Sequence, residues 1–165
     1  MASKTAGLGN PLPPHSTAHP EDLNMLRKWF SDYITKPNDS INTSLIYLSR
    51  SKWKRGISGE LELEKQLEEL GFTIFHGDIN LFEQIKLFSN ARVIVGLTGA
   101  AMSNMVWMPK GATVLQLHVP NVIYRFYYNI GCMCKLNYQF FETPRDSWSI
   151  SDVENIILKV KGLIG

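Results

Sequence analysis

The sequence predicts an α/β fold, a doubly wound and mainly parallel sheet of five strands with helices on both faces. Five short apolar segments alternate with helical patterns along the chain, which is typical of parallel strands joined by helical crossovers. Residues 92–96 are almost continuously apolar, as expected for a central strand that is buried on both faces. With 165 residues, of which 44% are hydrophobic, the chain is long enough to form one core.

The first part of the chain is predicted to be an extended N-terminus followed by one helix. Residues 1–20 contain four of the eight prolines and are expected to be flexible, so that residues 21–165 form a single domain. The helix begins at Pro20, where proline suits the first turn, and Glu21 and Asp22 complement the positive end of its dipole. Its apolar face consists of Leu23, Leu26, Phe30 and Tyr33.

The remaining elements follow from periodicity and from helix-capping signals. The predicted strands are residues 44–49, 72–76, 92–96, 113–118 and 136–141. The predicted helices are residues 60–70, a helix capped by Asn80 and Glu83, residues 100–107, residues 121–130, and a last helix capped by Ser151 and Glu154. Gly71 stands where glycine commonly ends a helix.

The strand order predicts where a ligand binds. Right-handed crossovers with helices on both faces favour the order 2-1-3-4-5, a Rossmann-like arrangement with a switch point between the first and third strands. Ligands of such sheets bind beyond the carboxyl ends of the strands at that point. The loops 49–58 and 97–103 are therefore expected to meet there.

The loop after the first strand is rich in cations. It contains Arg50, Lys52, Lys54 and Arg55, and arginine offers a planar fork that matches phosphate oxygens. This pattern favours a diphosphate site, with a solvated surface loop and a nucleic-acid contact as the alternatives. The net charge of only +2 argues against a general nucleic-acid surface and against a polybasic membrane anchor.

The loop after the third strand is rich in small residues. Residues 96–104 (GLTGAAMSN) let the backbone approach a ligand, and the following helix presents free N–H groups to an anion. The spacing matches neither a dinucleotide-binding G-x-G-x-x-G nor a Walker P-loop. The alternative is a tight strand-to-helix turn whose small residues serve packing.

Other candidate residues carry weaker signals. Gln116 shares one face of the fourth strand with His118, and both histidines at strand ends, His76 and His118, are more typical of structural than of catalytic residues. Neither a catalytic triad nor metal-ligand spacing stands out. No metal and no cofactor are expected. Cys132 and Cys134 are predicted to be free thiols.

The sequence also predicts a compartment. No apolar run approaches the length of a membrane-spanning helix, and the N-terminus has no apolar signal-peptide segment. Together with the free cysteines, these features predict a cytoplasmic protein. The glycosylation sequons at Asn38 and Asn42 are a contrary sign that has meaning only in a secretory lumen, and a Golgi or ER lumen is the alternative if the chain is a fragment of a eukaryotic protein.

Seven short features occur in an order that resembles the C-terminal catalytic segment of glycosyltransferase family 61, including its bacterial capsular polysaccharide biosynthesis-type members. The resemblance covers about residues 44–118 and continues more weakly to about residue 141. The features are Ser49-Arg50; Arg55, Ile57 and Glu60; Gly71-Phe72; Glu83-Gln84; residues 91–96; Gly99-Ala100 with Asn104; and residues 109–114. Many members carry histidine at the position of Thr98.

The resemblance implies a hexosyl- or pentosyltransferase that moves a sugar from a nucleotide sugar to a hydroxyl with inversion and without a metal. It also implies that this chain corresponds to the donor-binding half of a two-domain Rossmann-like scaffold. Cations and N–H dipoles would stabilise the departing nucleoside diphosphate. The residues implied for the donor and its diphosphate are Ser49, Arg50, Arg55, Thr98, Gly99, Ala100 and Asn104. Those implied to orient the ribose, the base or the loops are Glu60, Gln84 and Gln116.

The expected partners are the nucleotide-sugar donor and a glycan or another hydroxyl acceptor. Residues 1–43 are too few to form the family's acceptor domain, so an N-terminal domain or a protein partner is expected to supply it. No residue is nominated as the general base. The alternatives are a noncatalytic nucleotide or nucleotide-sugar binding module, a truncated remnant that needs a partner domain, and an α/β interaction domain without a ligand.

Overall fold

The structure, a computed structural model, describes residues 19–34, 44–53, 56–120 and 125–165 and contains one parallel five-stranded sheet. The strands are β1 (Ser44–Leu48), β2 (Phe72–Phe75), β3 (Ala91–Leu97), β4 (Thr113–His118) and β5 (Asn137–Glu142). Their order is β2-β1-β3-β4-β5, and every neighbouring pair is parallel. The predicted fold class and strand order are therefore confirmed.

Helices connect the strands as the sequence predicts. They are α1 (Pro20–Trp29), α2 (Glu60–Glu69), α3 (Leu81–Ser89), a 3₁₀ helix (Ala100–Trp107), α4 (Arg125–Met133) and α5 (Ile150–Ile164). Asn80 and Glu83 form the predicted capping box of α3. The predicted flexible segment falls largely on residues 1–18, which lie outside the described residues. The first four residues of the helix predicted at 121–130 also lie outside them.

The start of α5 differs from the prediction. The helix is capped by Ser149 and Asp152, not by Ser151 and Glu154. Both pairs have the capping-box spacing, so the sequence alone allowed either. The neighbouring Trp148 decides between them, because its side chain is buried and its backbone N–H donates to Ser58 O at 2.7 Å.

The core consists of two apolar layers, one on each face of the sheet. Strand residues alternate between them, so that Ile46 and Leu48 of β1 pack in one layer and Leu45 and Tyr47 pack in the other. The first layer includes residues of α3 and of the 3₁₀ helix, and the second includes residues of α2 and α5. Burial on both faces explains the continuous apolar sequence of β3.

Helix α1 packs against the first layer. Leu23, Leu26 and Phe30 contact this layer, as the apolar pattern predicts, whereas Tyr33 lies beyond the end of α1 and is exposed. The Arg27 guanidinium donates to the carbonyl of Val106 in the 3₁₀ helix and to that of Met108 directly after it. The helix is thereby attached to the segment that follows β3.

A glycine sets the entry into α2. Gly59 has a left-handed φ of 93°, and a Cβ atom there would lie 2.3 Å from Trp148 O. Only glycine fits this backbone and this close approach. The contact fixes the first turn of α2, which carries Glu60, against the segment before α5.

Candidate functional site

A cavity of about 760 Å³ lies at the carboxyl ends of β1, β2 and β3. The loops after β1 and β3 both line it, which places them together at the switch point of the sheet. Seven of the ten predicted site residues line this cavity, namely Ser49, Arg50, Gln84, Thr98, Gly99, Ala100 and Asn104. Glu60 and Gln116 lie behind its wall, and Arg55 lies outside the described residues.

Arg50 joins the two loops. Its side chain is half-buried in the cavity wall, and Nη1 donates to Thr98 O at 3.3 Å. Within the described part of the chain this is the one hydrogen bond of the guanidinium, which leaves its other N–H donors available to a ligand. An arginine fork anchored on one side suits an anion with several oxygens.

Glu60 holds the loop that carries Arg50. Its carboxylate is buried, and Oε1 accepts hydrogen bonds from Tyr47 Oη at 2.9 Å and from the Arg50 backbone N–H at 2.8 Å. Oε2 accepts from the Ile57 N–H at 3.4 Å. Burial, together with the nearby Glu60 carboxylate, raises the pKa of Tyr47, so this phenol remains a donor. Of the predicted roles for Glu60, the geometry favours orientation of the loop.

A second buried carboxylate, which the sequence analysis missed, lies beside the first. Ser49 Oγ donates to Glu64 Oε1 at 2.6 Å and accepts from the Ser51 N–H at 3.1 Å. Glu64 follows Glu60 by one helical turn on α2, so both carboxylates lie on the same helix face beneath the cationic loop. The i, i+4 spacing of Glu60 and Glu64 on a predicted helix was the sequence signal that could have identified Glu64.

Thr98 receives its orientation from two residues on neighbouring strands. Tyr138 Oη of β5 donates to Gln116 Oε1 of β4, and Gln116 Nε2 donates to Thr98 Oγ1 at 2.6 Å. Burial raises the pKa of Tyr138 well above 10, which keeps its hydroxyl protonated. Because Thr98 Oγ1 accepts from Gln116, its own hydrogen is free to point into the cavity. Gln116 therefore contacts the cavity only through Thr98, whereas the family resemblance implies that Gln116 itself lies near the ribose.

Backbone N–H groups add further hydrogen-bond donors to the cavity wall. Gly99 has an extended backbone, and the first hydrogen bond of the 3₁₀ helix runs from Met102 N–H to Gly99 O at 2.9 Å. The N–H groups of Ala100 and Ala101 precede that bond, and both residues line the cavity. This geometry is suited to anion binding.

Two amide side chains form a further part of the wall. Asn104 Nδ2 donates to Gln84 Oε1 at 2.9 Å, and Gln84 Nε2 donates to Ile79 O at 2.8 Å. These bonds link α3 to the 3₁₀ helix. Both residues line the cavity, where the resemblance places Asn104 at the donor and Gln84 at the ribose, the base or a loop.

The wall on the β2 side is formed by Trp53 and His76. The Trp53 indole N–H donates to His76 O at 3.2 Å, and His76 Nδ1 is buried with no hydrogen-bond partner among the described residues. The sequence analysis named the cations around Trp53 but not Trp53 itself. His118 does not line this cavity, since its Nδ1 donates to Val119 O and its ring packs against Phe140.

Three further observations concern the cysteines, membrane-spanning helices and metal ligands. Cys132 and Cys134 are free thiols, as predicted. In the described ranges, no helix is both long and apolar enough to cross a membrane. Across the same ranges, no three histidine, cysteine or acidic side chains are grouped as metal ligands would be.

The parallel α/β sheet defines a Rossmann-like protein, and its cavity is a candidate ligand site at the switch point. The family model described as "Glycosyltransferase 61" matches residues 9–115, more than half of the chain, and the chain belongs to this family. The match contains every residue that lines the cavity, and it begins before α1, further toward the N-terminus than the resemblance indicates. No curated protein sequence matches the chain. The likeness to bacterial capsular members stays a prediction.

Proposed function

We propose that the cavity binds the nucleoside diphosphate of a nucleotide-sugar donor, and that the chain serves a glycosyl transfer to a hydroxyl. The observation that carries this proposal is that three kinds of hydrogen-bond donor converge on one part of the cavity. They are the Arg50 guanidinium, the Thr98 hydroxyl and the amides at the start of the 3₁₀ helix. A diphosphate has enough oxygens to accept from all of them.

These hydrogen-bond donors can stabilise the negative charge that develops during the reaction. As the bond between the anomeric carbon and the diphosphate oxygen breaks, its electron pair moves onto that oxygen, and Arg50 and Thr98 stabilise the negative charge. The acceptor oxygen attacks the opposite face of the carbon, which inverts its configuration. The acceptor proton passes to a base. An acceptor domain or a partner is proposed to supply this base.

A noncatalytic nucleotide-binding module is the second candidate. The same lining residues support it, because they could hold a nucleotide whether or not a transfer follows. The two candidates differ in turnover. Release of free sugar or transfer to an added acceptor from a nucleotide sugar supports the enzyme, whereas binding without turnover in the presence of the acceptor domain supports the module. Retained turnover in EDTA supports the proposed metal independence.

The proposal is tested by thermal shift with UDP, GDP, CDP and ADP. A ligand at a hundredfold excess over its Kd stabilises the fold by about 2.7 kcal/mol, which corresponds to a rise in Tm of roughly 5–10 °C for a chain of this size. We expect such a shift with at least one nucleoside diphosphate. No shift with any of the four, at concentrations up to the millimolar range, contradicts the proposal.

Replacing Thr98 with valine is expected to weaken diphosphate binding about tenfold. Valine has nearly the same shape but cannot donate to the ligand, and it leaves the buried Gln116 amide without its acceptor. Thr98→Ser keeps the hydroxyl and is expected to retain most of the affinity. The measurement is isothermal titration of both variants. Equal affinities for valine and serine would show that the hydroxyl does not contact the ligand.

A further inference from the structure

The cavity extends beyond the proposed diphosphate site toward β2. Arg50, Thr98 and the small-residue loop lie where β1 and β3 end, whereas Trp53, His76 and Gly77 form the wall where β2 ends. A ligand whose phosphates sit at the switch point therefore has room on this side for one more group. This inference rests on the proposed function and concerns the part of the donor that fills that room.

Trp53 is held firmly while its ring remains open to solvent. Its backbone N–H donates to Arg50 O at 2.8 Å, and its indole N–H donates to His76 O at 3.2 Å. The side chain is nevertheless 61% exposed, and in the described part of the chain no aromatic ring packs against it. The indole uses its polar atom in a bond to the protein and presents apolar ring surface to the cavity.

The cavity wall formed by Trp53 and Gly77 leaves space for a ligand group. Gly77 also lines this wall, and a Cβ atom at Gly77 would meet nothing within 4 Å. The hydrogen-bonding side chains Gln84 and Asn104 are already engaged, because Gln84 Nε2 donates to Ile79 O and Gln84 Oε1 accepts from Asn104 Nδ2. A hydroxyl-rich sugar requires such partners, whereas a nucleobase gains most from a rigid aromatic face.

We propose that Trp53 is the stacking platform for the nucleobase of the donor. The base lies against the indole on the β2 side, and the diphosphate then reaches Arg50 and Thr98. The chain order supports this, because Trp53 is only three residues from Arg50 and the turn between them fixes their separation. Stacking is tolerant of base identity, so Trp53 provides affinity for the nucleoside and other contacts select the base.

The test compares ligands with and without a nucleoside. Titrations of the intact chain and of Trp53→Ala use UDP, ADP and inorganic pyrophosphate. We expect Trp53→Ala to lower the affinity for both nucleotides about tenfold, or about 1.4 kcal/mol, and to leave the affinity for pyrophosphate unchanged. Trp53→Phe retains a ring and is expected to lose less. The matched control is Trp29→Ala, a similarly exposed tryptophan on α1 that does not line the cavity.

The outcomes separate this inference from the proposed function. Equal weakening of pyrophosphate and nucleotide binding overturns the platform and shows that Trp53 only shapes the Arg50 loop. Unchanged nucleotide affinity overturns it as well. If pyrophosphate binds but a nucleoside adds no affinity in the intact chain, the platform fails while the anion site stands. If neither pyrophosphate nor nucleotide binds, the proposed function fails too. The Tm of each unliganded variant checks that the fold is retained.

Discussion

Glu60→Ala is expected to lower the free energy of unfolding by about 3 kcal/mol and to abolish measurable diphosphate binding. The substitution leaves the buried Tyr47 hydroxyl and the N–H groups of Arg50 and Ile57 without their acceptor. Each unpaired buried donor costs roughly 1–3 kcal/mol. The loss of ligand binding has a separate cause, because the Arg50 loop loses the contact that fixes its backbone.

Urea unfolding and nucleotide titration measure the two effects of Glu60→Ala. The control on the same helix is Glu69→Ala, whose side chain is exposed and which is expected to change stability by less than about 0.5 kcal/mol. Glu60→Gln keeps an acceptor oxygen for Tyr47 and Arg50 and is expected to retain more stability than alanine. A fully stable Glu60→Ala variant that still binds nucleotide contradicts the positioning role.

Arg50→Ala is expected to weaken nucleoside diphosphate binding about a hundredfold while changing stability little. The guanidinium is half-buried, is anchored by one bond to Thr98 O, and is the charged group of the described cavity wall best placed for phosphate oxygens. A charge-assisted hydrogen bond contributes about 1.5–3 kcal/mol, and a bidentate contact lies at the upper end of that range. Isothermal titration at fixed ionic strength gives the change in Kd.

Two further variants separate geometry from charge at Arg50. Arg50→Lys keeps the charge but loses the planar fork, so we expect an intermediate loss of affinity. Arg145→Ala removes one positive charge from an exposed position outside the cavity and is expected to leave Kd unchanged. An equal effect of Arg145→Ala and Arg50→Ala would mean that only net charge matters.

The fold was largely predictable because its signals are local. A strand buried on both faces requires an unbroken apolar run, as in β3, and a helix start requires a capping pair such as Asn80 and Glu83. The strand order followed because parallel strands need helical crossovers on both faces. The cap of α5 was mispredicted because two capping boxes overlap there, and a tertiary contact of Trp148 selects between them.

The candidate site was predictable at the level of loops and less so at the level of side chains. Arg50 and Thr98 follow strands that end at the same edge of the sheet, so topology alone brings them together. The supporting contacts of Glu64 and Tyr138 join residues on different elements. Their roles depend on side-chain direction and on the register of β4 with β5, which local patterns do not specify.

Gln116 is a residue whose face the sequence predicts but whose partners it does not. Alternation along β4 correctly gives the face that its side chain occupies, but not the depth at which it lies. The side chain is fully buried between Tyr138 and Thr98, so it reaches the cavity only through the Thr98 hydroxyl. A family resemblance likewise identifies a position without stating which partner the side chain takes.

Backbone amide NMR shows residue by residue whether a nucleoside diphosphate binds at the carboxyl ends of β1, β2 and β3. At 18.7 kDa the chain suits this measurement. On titration with UDP or ADP, the largest shift changes are expected at Arg50 and at Thr98 to Ala101, with Trp53 and Gly77 also affected. A second groove, of about 420 Å³, is lined by Phe141, Thr143, Asn155 and Lys159 among others. Shift changes confined to that groove, or none at all, would contradict the account.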